Sequence, residues 1–487
     1  MAWIGLALLA LALVLMMSSG WPTYAVLLGV CSIGALLGVG LGAFDVGILG
    51  NLPGRIVGLL EHDLLQALAL YALVGALMNR MALAGSLFGG MRNSLARLPR
   101  QSASEFAGLG LATLLAPMNG SVGASLLALS RAASTAWADA GVTGTRRAAL
   151  LAVFATLGVI VPPSLVLLLL GDAMMRAHTE GLNLARTLAL PLAQQDIRVI
   201  NTQDLMQATL LPAALVLVGW FAVTWFSRAR DAAGEAATAP ARPPWLARER
   251  WAVAIVPLAI AVLLSLVALG QVRAVEAAAS AGVALLAWGA WTRQLSRAVM
   301  WQVLDDAMAL TGALFALLVA ATSFSLLLRA FGTDQLVTQA MLSLQGHPLV
   351  ATLAVLAILL ASSFVLDAFE LVFLVVPIVM PPLLAQVGDA AWVAALTLLV
   401  LQLGFLMPPF GYAVVLARAQ AAPRPELRAL ARALLPFMAW SAVVITLVVL
   451  LPQCTQWLRS APATVSGGQG LSADDVEKAM REMSRRP

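Results

Sequence analysis

The sequence predicts an all-α polytopic membrane protein made of two inverted repeats, each with a re-entrant hairpin and a broken helix. Hydrophobic residues make up 61% of the chain and charged residues 11%, whereas soluble domains have roughly one half and one quarter. The apolar residues come in helix-length blocks and not in the ~10-residue alternating segments of a β-barrel. A motif of Leu-Gly, three apolar residues and Pro-Pro occurs at 157–163 and again at 403–409, 246 residues later.

Apolar segments follow one another along almost the whole chain. They lie at about 2–19, 22–42, 63–79, 106–118, 121–138, 148–170, 205–227, 251–270, 274–291, 307–328, 348–366, 368–386, 391–406, 408–418 and 433–451. A ~30 Å hydrocarbon core needs about 20 helical residues, so we expect about ten to twelve spans plus two hairpins. The first segment lacks a basic n-region and a small-residue cleavage site, which indicates a retained transmembrane helix and not a signal peptide.

One polar stretch divides the chain. Residues 228–250 contain three Pro and five Arg, which predicts a linker on the cytoplasmic side by the positive-inside rule. The predicted organisation is therefore an N-terminal half (1–227), the linker (228–250), a C-terminal half (251–452) and a polar tail (453–487).

Smaller polar segments give further expectations. Residues 171–204 form a second polar insert, in which 182–192 is expected on the membrane surface. Amphipathic stretches at 83–95 and 331–344 are expected to lie along the interface before each hairpin. Ser472 is expected to cap a short helix in the tail.

Each half carries a second break, 41 residues before the first Pro of its Pro-Pro pair. In the first half this break is Asn119-Gly120-Ser121, and the equivalent position in the second half is Asp367. Pro117 ends the preceding helix and Ser121 can cap the next one. One such break would also suit a plain loop at the membrane surface. Paired interruptions at corresponding positions indicate the binding site of a secondary transporter.

Asp367 is the strongest single candidate for chemistry. An intramembrane carboxylate is costly and indicates function by default, so Asp367 is expected to bind Na⁺ or take up a proton. The alternative is a helix cap near the interface, and Glu370, one turn later, is the weaker candidate because it can already reach water.

The Pro-Pro breaks add backbone oxygens. Proline lacks an N–H, so carbonyls one turn earlier, near Thr156, Gly158, Gln402 and Gly404, are expected to lose partners. Thr156 and Gln402 occupy the same repeat position and add side-chain oxygens.

Other function classes fit less well. The chain has no Gly-x-Ser-x-Gly elbow, no His within an apolar span and no metal-binding spacing of His, Cys or carboxylates. Gly171-Asp172 matches only part of an intramembrane aspartyl-protease motif. A channel also uses broken helices, but its pore usually forms by oligomeric symmetry around one filter.

These motifs resemble a known family. Residues 119–125 and 156–164 look like the first-half signature of the large membrane subunit of tripartite ATP-independent periplasmic (TRAP) transporters, the DctM-like family. Residues 366–367 with 404–411 look like the second-half signature, and 77–80 also fits. The resemblance covers about residues 5–452, and the insert at 171–204 is similar to the branch labelled mannitol or chloroaromatic transport.

The resemblance implies a Na⁺-driven elevator-type transporter for organic acids in the bacterial cytoplasmic (inner) membrane. It implies a small four-helix membrane subunit (DctQ-like) and a periplasmic substrate-binding protein (DctP-like) as partners. Two positions depart from the family pattern, Val122 in place of a second Ser and Met407 in place of Thr. H⁺ coupling, a carrier that needs no binding protein, and a channel therefore remain as alternatives.

The candidate substrate- and ion-binding residues are those at the breaks. They are Asn119, Gly120, Ser121, Thr156, Gly158, Pro162, Pro163, Asp367, Gln402, Gly404, Pro408 and Pro409. Among them, Ser121, Thr156, Asp367 and Gln402 are the candidate side-chain ligands of Na⁺, together with backbone carbonyls.

Overall fold

The computed structural model describes residues 1–45, 47, 50, 52–60, 63–81, 83–119, 121–188, 190, 200–231 and 247–457. Every regular element in these residues is helical, which confirms the predicted all-α class. The first-half helices are α1 (Ala2–Ser19), α2 (Thr23–Gly40), α3 (Leu52–Leu60), α4 (Asp63–Arg80), α5 (Leu83–Ser94), α6 (Arg100–Asn119), α7 (Val122–Asp139), α8 (Gly144–Ala155), α9 (Leu157–Ile160), α10 (Leu165–Thr187) and α11 (Thr202–Asp231).

The second part of the chain, from residue 247 onward, is also helical. Its helices are α12 (Ala247–Ala268), α13 (Ala274–Trp291), α14 (Arg297–Ala330), α15 (Thr333–Leu342), α16 (Pro348–Ser362), α17 (Ala368–Glu370), α18 (Val376–Leu384), α19 (Ala390–Phe405), α20 (Tyr412–Gln420) and α21 (Leu427–Leu450). A π-helical turn, Leu371–Val375, joins α17 to α18, and a 3₁₀ turn, Pro452–Thr455, follows α21.

The helix breaks fall at matching repeat positions. Ser121 caps α7, and Asp367, 246 residues later, caps α17. Thr143 and Asp389, at the same separation, cap α8 and α19 with the same bond to the backbone N–H three residues on. Local capping chemistry therefore repeats together with the Pro-Pro motifs.

Fewer helices than expected are long enough to cross a membrane. The described residues contain six helices of sufficient length and apolarity, or eight when two bent pairs are each counted as one span. The expected ten to twelve spans stay a prediction, because this count covers only the described residues, and several apolar helices among them, such as 348–362 and 390–405, are shorter than a full span.

Helix boundaries also correct the predicted inserts. The polar insert was expected from residue 171, but α10 continues through Gly171 and Asp172 to Thr187. An ion pair between Asp172 and Arg176, one turn apart, supports this helix. Residues 191–199 lie outside the described residues.

Of the remaining segment predictions, some fall on described residues and others do not. Helices α5 and α15 form where the two amphipathic stretches were predicted, and α5 bends 66° away from α4. Helices α11 and α12 extend into both ends of the predicted linker, whose residues 232–246 lie outside the described part. The tail beyond residue 457, with Ser472, also lies outside it.

Long helices frame the breaks. Helix α14, with 34 residues, would be about 51 Å long at 1.5 Å per residue. It packs along α2 and α4, while α10 packs along α18. Arg80 at the end of α4 pairs with Asp306 on α14, and Arg329 at the end of α14 pairs with Glu180 on α10.

A buried ion pair fixes the base of the first hairpin. Glu105 on α6 accepts two bonds from Arg146 on α8, both 2.8 Å long, and neither residue is more than 6% exposed. Arg146 also donates to the Ser227 hydroxyl (3.0 Å) and the Thr224 carbonyl on α11. Three helices are thus joined through one guanidinium, whose charge needs its carboxylate partner.

Removing the carboxylate should test this network. We expect Glu105→Gln to lower the free energy of unfolding by about 3–5 kcal/mol, because the buried Arg146 guanidinium loses the carboxylate of Glu105. The double variant Glu105→Leu/Arg146→Leu should recover much of this loss. Thermal unfolding in detergent measures both, with Arg80→Gln at the exposed α4–α14 pair as the control of small effect. An equal loss in Glu105→Gln and Arg80→Gln would contradict this interpretation.

Candidate transport site

The tip of the first hairpin lies between α6 and α7. Helix α6 carries Pro117 in its last turn and ends at Asn119. Ser121 has an extended backbone, and its hydroxyl accepts a hydrogen bond of 3.0 Å from the Ala124 N–H. The structure therefore places Ser121 at the N-terminus of an 18-residue helix, where the helix dipole favours negative charge. Gly120 and the Asn119 side chain lie outside the described residues.

The second hairpin has a carboxylate at the equivalent tip. Asp367 and Glu370 form a reciprocal capping box: each side chain accepts from the other's backbone N–H, at 2.9 Å in both directions. Glu370 also accepts a hydrogen bond from the Thr23 hydroxyl at the start of α2. Asp367 is therefore a helix cap, as the alternative interpretation held. Glu370, the weaker candidate from the sequence, makes more side-chain contacts than expected, because it completes the capping box and also binds Thr23.

Within the described part of the chain, no Arg, Lys or His forms an ion pair with either of these two carboxylates, Asp367 and Glu370. Two neighbouring negative charges at a mostly buried helix start repel each other. Backbone N–H groups offset part of this cost, and a bound cation or proton would offset more.

The Pro-Pro breaks interrupt the two helices that follow the hairpins. In the first half, the chain turns at Thr156, forms the four residues of α9 and leaves the helix at Val161 before Pro162 and Pro163. In the second half, α19 ends at Phe405 and α20 begins only after Pro408 and Pro409. Both Pro-Pro peptide bonds are cis.

The carbonyls near these breaks keep more partners than expected. The Thr156 carbonyl accepts from the Val159 N–H at 3.0 Å, and the Gly404 carbonyl accepts from the Met407 N–H at 3.1 Å. For these two carbonyls the prediction of lost partners was wrong, because 3₁₀-type bonds replace the lost ones. Each oxygen retains a second lone pair.

The two glycines of the motif allow close approach to the hairpins. A Cβ atom on Gly158 would lie 2.6 Å from the Ala116 carbonyl oxygen of α6. A Cβ atom on Gly404 would overlap the Ser363 hydroxyl and lie 2.9 Å from the Ser363 Cβ. Each broken helix therefore lies directly against the hairpin of its own half. In addition, α9 packs on α19, and this contact between the two halves is here called the crossing of the broken helices.

Gln402 lies on α19, and Thr156 lies directly before α9. Both residues are completely buried. The Thr156 hydroxyl donates to the Val153 carbonyl at 2.7 Å. Neither the amide nitrogen nor the amide oxygen of Gln402 has a hydrogen-bond partner among the described residues. A buried amide without partners costs roughly 1–3 kcal/mol, so Gln402 is a candidate ligand-binding side chain.

The sequence analysis missed Tyr412. Its hydroxyl lies 3.5 Å from the position of a Cβ on Gly123 in the first hairpin, and the charges of Asp367 and Glu370 act on it. No described residue hydrogen-bonds to this hydroxyl. Its position beside both hairpins arises only from contact between the two halves, and the one local signal was its place directly after Gly411.

The donor set suits a hard monovalent cation better than a transition metal. Among the described residues, no group of three or more His, Cys, Asp or Glu side chains could hold a metal ion. The breaks instead present hydroxyl, amide, carboxylate and carbonyl oxygens, which hard cations prefer. The site can also present the N–H groups of α7 to an anion.

Comparison with known proteins then identifies the family. A family model described as "Tripartite ATP-independent periplasmic transporter, DctM component" matches residues 8–454. The chain belongs to this TRAP transporter family. The resemblance seen in the breaks is thus confirmed, and this family is a transporter permease and not an enzyme.

This TRAP permease is similar to a curated protein in sequence and to a solved structure in fold. It is 23% identical over 405 residues to the sialic acid TRAP transporter permease protein SiaT of Haemophilus influenzae, covering 82% of this chain and 60% of that protein. The chain therefore spans about three fifths of SiaT. The fold resembles that of the Alcanivorax borkumensis YdaH transporter, with a TM-score of 0.54, 14% identity, and coverage of 89% and 99% of the two chains.

The close approach at Gly404 can be tested by substitution. We expect Gly404→Ala to destabilise the permease by about 1–3 kcal/mol through overpacking against Ser363. The double variant Ser363→Gly/Gly404→Ala should recover part of this loss, because it removes the atoms in conflict. In Gly158→Ala the added Cβ meets the Ala116 backbone carbonyl, so no second substitution that removes side-chain atoms can relieve the conflict.

Thermal unfolding of wild type, of these three variants and of one control variant provides the measurement. Gly312→Ala is the matched control, since Gly312 is helical and its Cβ position is open. That control should be neutral or slightly stabilising. If Gly404→Ala behaves like Gly312→Ala, the second broken helix does not pack against Ser363 as described.

Proposed function

We propose that this TRAP permease imports a small organic acid, driven by a Na⁺ gradient through an elevator movement. The observation that carries the proposal is the pair Asp367 and Glu370, two carboxylates at a hairpin tip with no basic partner among the described residues. The partnerless amide of Gln402 at the crossing of the broken helices adds to it.

The cation argument follows from electrostatics. The desolvated carboxylates are costly next to each other, and a positive charge between or beside them lowers that cost. Na⁺ takes oxygen ligands, which the side chains of Ser121, Thr156, Asp367 and Gln402 and the nearby carbonyls supply. Since Ser121 and Asp367 already cap helices, the backbone carbonyls have a large share in this proposed site.

The substrate argument rests on the first hairpin. The N-terminus of α7 attracts a carboxylate through its free N–H groups and dipole. The Tyr412 hydroxyl, close to Gly123, can donate a hydrogen bond to the same group. The name of SiaT specifies sialic acid, an organic acid, for that relative. This supports an acidic substrate for the present permease but does not identify it.

An elevator requires two bodies that move past each other. In the proposed division, the hairpins and broken helices move, while α1, α2, α4, α13 and α14 remain. Two polar contacts then join the moving and static parts: Glu370 with Thr23, and Glu180 with Arg329. These contacts belong to one state of the cycle and must break in the other.

Family membership supports two partners and a location. We propose a small four-helix DctQ-like subunit against the static part, where only 17% of α1 is buried, and a periplasmic DctP-like binding protein that delivers substrate. The proposed location is the bacterial cytoplasmic (inner) membrane, with the Arg-rich 228–250 linker on the cytoplasmic side.

H⁺ coupling is the second candidate. The same carboxylate pair that attracts Na⁺ can instead hold one proton, because two adjacent carboxylates resist joint ionisation. The two cations are distinguished by experiment, since only Na⁺ coupling gives a Na⁺-specific response at constant pH.

Asp367→Asn tests the ion site through transport. In proteoliposomes with the partner subunits, we expect the variant to lose at least about ten-fold in Na⁺-driven uptake, the effect of about 1.4 kcal/mol. Asp389→Asn, which changes the corresponding cap of α19, is the matched control and should retain uptake. Equal uptake by wild type and Asp367→Asn would remove Asp367 from the ion site.

Gln402→Leu tests whether the partnerless amide serves a ligand. We expect the variant to be more thermostable than wild type in K⁺, because an unsatisfied buried amide is replaced by an apolar side chain. It should at the same time lose the stabilisation that Na⁺ gives to wild type.

Thr397→Val is the control on the same helix, since Thr397 is equally buried but donates to the Val393 carbonyl at 2.8 Å. It should keep the Na⁺ response. A Gln402→Leu variant with an intact Na⁺ response would show that Gln402 has no ligand role.

A further inference from the structure

A cavity of about 510 Å³ lies apart from the hairpin tips. It is bounded by α4, the middle of α10, the start of α11 and the turn between α12 and α13. Its polar lining includes Asp172, Thr202, Gln203 and Arg273. The volume falls within the roughly 300–1,000 Å³ that is usual for small-molecule sites.

Close packing holds one wall of this cavity in place. A Cβ on Gly171 would lie 2.7 Å from Thr202 Cγ2, so α10 and the start of α11 are in direct contact. Gly270 has φ +76°, which favours glycine, and its open side is filled by the Gln203 amide. Asn201 and Asp204 cap this end of α11 reciprocally, at 2.8 and 3.1 Å. The polar groups are therefore preorganised.

Arg273 is the basic side chain of the cavity lining, and it is exposed. Asp172 is paired with Arg176 at 3.0 Å. Glu276 accepts the backbone N–H of Arg273 at 3.1 Å, while the Arg273 guanidinium forms no ion pair with any described residue. The Gln203 amide likewise has no hydrogen bond within the described residues. These free donors match the oxygens of an anion.

We propose that this cavity is a second anion-binding site, in which Arg273 and Gln203 bind the oxygens of a small carboxylate or phosphate group. The group belongs either to a free organic anion or to the headgroup of an anionic lipid. The site shares no lining residue with the hairpin tips, so it extends the proposed function and does not depend on the ion site at Asp367.

Thermal unfolding of the full-length chain in nanodiscs tests the proposal. The first arm titrates succinate in phosphatidylcholine discs, in K⁺ buffer without Na⁺. The second arm compares phosphatidylcholine discs with discs that contain phosphatidylglycerol. The variants are Arg273→Gln and Gln203→Leu. Arg293→Gln, at the opposite end of the same helix α13, is the charge-matched control.

We expect saturable stabilisation by succinate that weakens about ten-fold in Arg273→Gln and less in Gln203→Leu, while Arg293→Gln behaves like wild type. Stabilisation by phosphatidylglycerol alone, with the same dependence on Arg273, would assign the site to a lipid headgroup. Asp367→Asn should keep either response, which separates this site from the proposed ion site. The absence of any stabilisation in wild type, or an equal response in Arg273→Gln, would overturn the proposal.

Discussion

A backbone N–H or carbonyl in the hydrocarbon core has no water to bind, and this constraint decides where interrupted helices can lie. The chain has four interruptions in apolar segments: two hairpin tips and two Pro-Pro breaks. At each of them, described residues provide hydrogen bonds or close packing. Ser121 and Asp367 cap the hairpin helices, 3₁₀ bonds replace those lost at Thr156 and Gly404, and Gly158 lets α9 lie against the Ala116 carbonyl.

The same constraint brings the two halves together. Broken ends cannot face lipid, and α9 of the first half packs on α19 of the second half. Small residues allow the broken helices to lie close to the hairpins, since any side chain at Gly158 or Gly404 would meet the hairpin beside it. Gln402 on α19 is completely buried.

The arrangement leaves polar groups that the fold alone does not require. An apolar residue at 402 would satisfy packing, and a neutral cap at 367 would hold α17 as Ser121 holds α7. A partnerless amide and adjacent carboxylates both reduce stability. Their presence close to the helix breaks is the physical reason for a ligand-binding interpretation. Membership of the TRAP permease family agrees with it.

The sequence predicted what local chemistry determines. Ser121 and Asp367 cap helices, and the chain leaves the helix at both predicted Pro-Pro pairs, so these helix breaks lie where the sequence predicted them. Pro117 does not end its helix as expected, because α6 continues to Asn119. It also showed the repeat, because the same residue types recur at one spacing.

Features that depend on distant contacts were not predictable in this way. Tyr412 reaches the first hairpin across the two halves, and Thr23 reaches Glu370 from the second helix of the chain. The continuation of α10 through Gly171 was missed because an ion pair and packing outweigh the helix-breaking tendency of one glycine. The domain boundaries and ligand roles remain predictions.

The most direct measurement is equilibrium binding of radiolabelled Na⁺ to the purified permease with its partner subunit. If the crossing of the broken helices and the second hairpin form one ion site, binding is saturable, is displaced by unlabelled Na⁺ and not by K⁺, and is lost when either Asp367 or Gln402 is replaced by an apolar residue. Binding that neither substitution changes, or no saturable binding, would contradict the account.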